Sequence, residues 1–343
     1  MLGSISIEEI RNRGSIRDAD VARLQAAFAS ADIITREDAD ALIALHATCP
    51  IQDPQWSILF VEMISDYIIH VAPPEGYVVG ENARWLIERI GDFGSVETST
   101  ELMLLVHVLE AARWTPPSLA AFALDQVRRA IQTGRGPLRA AAPAPAGTIT
   151  DHDVYLVARL ISAFGGEGNI AITKAEADSL LDIHRAIAPG HATPAWQDLL
   201  VRAVGNAVLA AIGHGVPPRR EIAAPFLQAE LESDGHASTS SDEWTDTAER
   251  DPAYDIVPGV RIWATAPLLS TEEVAVSRLE RQRFEIITNE VIEEATETWL
   301  MTHLAKRVEL DTTEQALVSF IAREASQLPP DLSDFAARVL LAA

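Results

Sequence analysis

The sequence predicts an all-α protein, and three observations carry that prediction. A nine-residue stretch, Ile34-Thr35-Arg36-Glu37-Asp38-Ala39-Asp40-Ala41-Leu42, returns as Ile172-Thr173-Lys174-Ala175-Glu176-Ala177-Asp178-Ser179-Leu180, and both copies run on to a histidine, His46 and His184. Each copy has the chemistry of a helix start: a threonine hydroxyl to cap a first-turn N–H, and an acid three residues on to reach back to the cap. Apolar residues elsewhere recur at three- and four-residue spacing, while strand signals are nearly confined to one short stretch, Ile256 to Trp263. Repetition at this length predicts two related multi-helix domains in tandem, built from helical hairpins.

The elements follow in order. Residues 1–15 read as a leader with a short helix ended at Gly14. A first domain over 16–133 opens with a helix from Asp18 that places Val21, Leu24, Ala27 and Phe28 on one face. The repeated stretch starts the second helix, closed by Cys49-Pro50. Asp53-Pro54 is a cap followed by proline at the first helical position, which starts a third helix reaching His70. Gly80 to Ile90 is a fourth, carrying Trp85. Thr98-x-x-Glu101 is another capping box, and Pro116-Pro117 separates the last two of six helices, the second ending near Thr133.

Residues 134–147, rich in Ala, Pro and Gly, read as a linker. The second domain, 148–343, repeats the first. Thr150-Asp151-His152-Asp153-Val154 echoes Arg17-Asp18-Ala19-Asp20-Val21, and Thr193-Pro194-Ala195-Trp196 echoes Asp53-Pro54-Gln55-Trp56. Trp299-Leu300 echoes Trp85-Leu86. Pro329-Pro330-Asp331-Leu332, then Phe335-Ala336, echoes Pro116-Pro117-Ser118-Leu119, then Phe122-Ala123. The halves differ by an insertion over 214–285. Its stretch from Glu230 to Asp255 is acidic and Ser/Thr-rich and is expected to be flexible.

Composition narrows the function classes. The chain of 343 residues carries a formal net charge of -23, which argues against nucleic acid and anionic membranes and permits a basic protein partner. Cys49 is the only cysteine, so no internal disulfide forms. The N-terminus lacks the pattern of a signal peptide, and no apolar run reaches the ~20 residues that span a bilayer. A cytoplasmic protein is expected.

Chemistry is sparse. The short motifs of phosphate loops, dinucleotide binding, zincins and serine hydrolases are missing, and no cofactor is expected. A calcium loop ending at Asp38 would need ligands at Ala27, Ala29 and Ala31, which offer none. Glu62, Asp66 and His70 lie four apart on an apolar helix. They are the candidate metal ligands, or the acid–base groups of a metal-dependent or hydrolase-like enzyme. The bland alternative is a solvated stripe, because the matching positions Arg202, Asn206 and Ala210 keep some polarity without the ligands. His46 and His184 invite a shared metal site, against the alternative of two histidines each satisfied beside the core. Trp56, Trp196, Trp85 and Trp299 recur as packing residues. Trp244, Tyr254 and Trp263 are aromatics in a polar insertion and are the candidate partner contacts.

The run Ala26-Ala27-Phe28-Ala29-Ser30-Ala31-Asp32-Ile33-Ile34-Thr35-Arg36-Glu37-Asp38 resembles the helix–turn–helix entry of TerB-like, tellurite-resistance-type domains. A related version, Ser162-Ala163-Phe164 to Ile172-Thr173, stands in the second half. The resemblance covers about thirty residues per half and implies an all-helical domain whose acidic surface is linked to metal binding and stress-response assemblies. The expected function is that of a non-catalytic interaction or scaffold protein that docks a basic partner through its insertion. A metal-binding TerB-like protein, or a metal-dependent enzyme using Glu62, Asp66 and His70, is the alternative.

Overall fold

The computed structural model describes residues 7–29, 34–91, 94–163, 171–212, 214, 216–237, 297–304, 310–325 and 328–342. These residues form an all-α structure. The elements are α1 (Ile7–Arg13), α2 (Asp18–Ala29), α3 (Arg36–Thr48), α4 (Pro54–Asp66), α5 (Gly80–Ile90), α6 (Ser99–Ala111), α7 (Pro117–Thr133) and α8 (Pro137–Ala141). They continue with α9 (Asp151–Ala163), α10 (Lys174–Ala186), α11 (Pro194–Ala211), α12 (Arg219–Ala237), α13 (Glu297–Leu304), α14 (Thr312–Glu324) and α15 (Pro330–Ala342). Two two-residue strands, β1 (Ser15–Ile16) and β2 (Ile51–Gln52), pair in parallel. Among the described residues, no helix is long and apolar enough to cross a membrane.

The helix starts lie where the sequence places them. Capping boxes form at Thr35/Asp38, Thr98/Glu101 and Thr173/Glu176, and prolines at the first turn follow the caps Asp53 and Thr193. The third helix differs from its expected form. The α-helix stops at Asp66, and Tyr67–Val71 forms a π turn, so Asp66 and His70 are not one regular α-turn apart.

The stretch read as a linker contains α8, and α8 repeats a device seen at α1. Arg13 of α1 pairs with buried Asp20 and donates from Nη2 to the Ser15 carbonyl at 3.0 Å. Arg139 of α8 pairs in bidentate fashion with buried Asp153, at 2.7 and 2.9 Å, and donates from Nη2 to the Thr148 carbonyl at 3.2 Å. Gly14 and Gly147 both take positive φ just before these carbonyls, which lets the chain turn sharply from the short helix into the next long one. Asp20 also accepts the backbone N–H of Arg17, as Asp153 accepts that of Thr150. Burial pushes the Asp20 carboxyl upward, but the Arg17 N–H, Arg23 and Arg13 together hold it below its usual value.

The insertion read as beginning at residue 214 starts as ordered core. Helix α12 lies against α9 and α11, and its first residue, Arg219, is fully buried. Residues 230–237 continue α12. The rest of the acidic stretch, with Trp244, Tyr254 and Trp263, lies outside the described residues.

One apolar core runs through both halves, with α7 packed along α10 and α9, and α6 against α9. A bidentate ion pair crosses this junction. Arg159 of α9 meets Glu110 of α6 at 2.8 Å on both contacts.

Candidate functional site

A recurrent tryptophan and a recurrent histidine meet in the same way in each half. In the first, the Trp56 Nε1–H donates to His46 Nδ1 at 3.1 Å, and the other ring nitrogen of His46 lies 3.1 Å from the Thr98 hydroxyl. In the second, the Trp196 Nε1–H donates to His184 Nδ1 at 3.2 Å, and His184 Nε2 lies 2.9 Å from Asp311 Oδ2. Thr98 and Asp311 are the N-caps of α6 and α14. Each histidine therefore ties its own helix to the Trp of the next one and to the cap of a third.

The indole fixes the tautomer. A Trp N–H only donates, so Nδ1 must present its lone pair, and the proton of the neutral ring sits on Nε2. His46 is held more firmly still, because Gln52 Nε2 donates to the His46 carbonyl at 3.0 Å beside the ring and Phe60 stacks on it at 4.5 Å. Burial lowers the His46 pKa to about 4. It pushes Glu101, within the same cap, in the opposite direction, upward. Asp311 feels the upward push of burial too, but the hydrogen bonds from His184 and from the Glu314 and Thr313 backbone N–H groups prevail and hold it at about 2.

A second matched set uses the aspartate of the repeated stretch. Asp40 Oδ1 accepts the Trp85 Nε1–H at 3.1 Å and Arg89 Nε at 2.7 Å. Asp178 Oδ1 accepts the Trp299 Nε1–H at 2.7 Å and lies 2.9 Å from His303 Nε2. The tryptophans expected to serve only packing thus also bind the repeated stretch through their indole nitrogens.

Among the described residues, His184, Asp311 and Glu314 form a group whose ligand atoms lie close enough together to hold a metal ion. Its polarity opposes that use. A histidine that binds metal through one nitrogen ordinarily donates from the other to an acceptor. Here the other nitrogen faces a donor, the Trp196 indole. Asp311 and Glu314 are also committed to the capping box of α14. Sequence reasoning missed this group, although Asp311-x-x-Glu314 carries the same cap spacing as the others.

The predicted ligands Glu62, Asp66 and His70 are all exposed and are not drawn into such a group among the described residues. Their counterparts explain the difference. Asn206 of α11 is buried, accepts the Ile172 N–H at 2.9 Å and donates to the Pro217 carbonyl at 2.8 Å, just before α12. At Asn206 the stripe of α11 is covered by the chain leading into α12, while Arg202 stays exposed like its counterpart Glu62; the polar stripe of α4 meets solvent throughout.

Arg219 completes the second half. Its guanidinium meets Glu176 at 2.7 and 2.8 Å and donates to the carbonyls of Ile161 and Ala171 at 3.1 and 2.6 Å. Nothing in the local sequence marks this arginine, since its partner stands 43 residues earlier. Cavities among the described residues include one of about 200 Å³ beside Gln126 and Arg135 and one of about 410 Å³ beside Arg128 and Arg185. Comparison with protein-family models, with curated proteins and with solved structures found no match to this chain.

Proposed function

We propose that this chain is a non-catalytic helical scaffold, built from a duplicated unit, that takes a basic protein partner through its acidic insertion. The observation that carries the reading is the use made of the recurrent polar residues. His46, His184, Asp40, Asp178 and the four matched tryptophans are each committed to bonds between helices. A group already bound on both sides serves geometry better than turnover. The metal-binding reading that goes with a TerB-like domain has one candidate group in His184, Asp311 and Glu314, and the Trp196 donor works against it.

The insertion supplies the complementary chemistry. Residues 238–255 hold six acids, Asp242, Glu243, Asp246, Glu249, Asp251 and Asp255, against Arg250 alone, and they carry Trp244 and Tyr254. Charge draws a basic surface and aromatics anchor it. The test is co-purification from the native cell with the full chain, with residues 238–255 deleted, and with Trp244→Ala, at low and high salt. The deletion begins beyond α12, and unchanged helical circular dichroism verifies the fold. A basic protein retained at low salt, released as the screening length falls from ~10 Å at 0.1 M to ~3 Å at 1 M, and lost with the deletion supports the proposal. Full retention by the deleted chain, or retention indifferent to salt, contradicts it.

A further inference from the structure

We infer that copies of this chain associate head to tail, with α15 of one copy packed along α3 of the next as α7 packs along α10 within the chain. The inference rests on the duplication proposed above and is independent of the acidic insertion. Within one chain, the C-terminal halves of α7 and α10 meet, with Asp125 and Arg128 of α7 beside Asp182 and Arg185 of α10. The end of α7 is drawn further toward the end of α10 through Gly147, which donates to the Ile131 carbonyl and accepts from the Ala188 N–H.

The sequence register of the repeat places α15 on α7 and α3 on α10. Leu124, Val127 and Arg128 then correspond to Ala337, Leu340 and Leu341, while Asp182, Arg185 and Ala186 correspond to Ala44, Ala47 and Thr48. Leu124 and Val127 are buried, whereas the matching Ala337 and Leu340 are exposed. The large exposed hydrophobic residues among those described are Ile51 at 69%, Leu340 at 47% and Leu341 at 88%. Leu340 and Leu341 occupy the α15 positions that match Val127 and Arg128 of α7, and Ile51 lies in β2, just beyond the end of α3. At the matched positions the internal charges Arg128, Asp182 and Arg185 become Leu341, Ala44 and Ala47. The outer faces are thus more apolar there than the internal interface they copy. Exposed apolar side chains gathered on two complementary faces mark an interaction surface, and the two faces differ, so the contact is heterologous. Its occupant is a second copy, because among the described residues α7 packs most extensively along α10, the element that α3 repeats.

Sedimentation of the full chain over a concentration series tests this. The expected result is a mass that rises above the 37.2 kDa monomer with concentration, and more so with salt, which screens the repulsion between copies each carrying -23. Leu340→Asp with Leu341→Asp blocks one face, and Ala44→Arg blocks the other. Both changes fall at exposed helix positions, and unchanged helical circular dichroism verifies the fold. Each variant alone is expected to remain monomeric. An equimolar mixture of the two is expected to form dimers, because each keeps the face the other has lost. A monomer at every concentration, assembly that survives either variant, or variants that dissociate but form no dimer when mixed would each overturn the inference.

Discussion

Replacing Arg219 by methionine tests whether α12 belongs to the folded core. Both Arg219 and Glu176 side chains are 1% exposed, and the guanidinium makes four hydrogen bonds, two of them to the Glu176 carboxylate. Methionine fills much of the same space but leaves Glu176 with only the Thr173 N–H and hydroxyl, at 2.9 and 2.7 Å. Breaking a buried pair from one side costs about 3–5 kcal/mol, since the remaining charge is desolvated without compensation. Replacing both partners by neutral groups removes that penalty, so Arg219→Met with Glu176→Gln should cost clearly less than Arg219→Met alone. Urea denaturation followed by helical circular dichroism measures both. A cost below about 1 kcal/mol for Arg219→Met, or a double variant that costs the sum of the singles, would refute the argument that this pair is a buried structural clamp.

Further predictions follow from other sites. His46 has a folded pKa of about 4 against 6.5, so it favours the folded state above pH 6.5 and that contribution is lost as pH falls from 6.5 toward 4. At 1.36 kcal/mol per pH unit the loss is about 3 kcal/mol, and His46→Gln should flatten the pH dependence of the urea midpoint over that range. Gly205→Ala should destabilise by about 1–3 kcal/mol, because the new Cβ would lie 2.6 Å from a Phe320 ring carbon. At the matched position in the first half, Ser65→Ala should be neutral or stabilising, because the buried Ser65 hydroxyl has no hydrogen-bond partner among the described residues. Arg139→Met should cost about 3–5 kcal/mol by leaving Asp153 buried beside only the Thr150 N–H and hydroxyl, although it lies in a stretch that reads as a linker.

What the sequence made legible was local. The boxes at Thr35, Thr98 and Thr173 and the Pro-started helices at Pro54 and Pro194 depend on residues within one turn, so spacing alone revealed them. Helix α8 escaped because five residues amid alanine and proline show no periodicity; its identity lies in a salt bridge to Asp153, fourteen residues on. The partners of Asp40 and Asp178 stand 45 and 121 residues away, and no local pattern encodes such pairings. The stripe of Glu62, Asp66 and His70 drew attention through its periodicity, but only the placement of the chain before α12 shows why Asn206, the counterpart of Asp66, is buried. Both histidines repeat in sequence, yet their roles emerged only from which side of each ring the indole occupies.

The most direct measurement is the protonation of His46 and His184, read by long-range proton–nitrogen correlation spectra of histidine-labelled protein at pH 7 with and without added zinc. If the recurrent residues are bonds between helices, both rings carry their proton on Nε2 and their nitrogen shifts stay unchanged by zinc. A proton on Nδ1 of His184, with a nitrogen shift that moves stoichiometrically on zinc addition, would contradict the account and make that group a metal site.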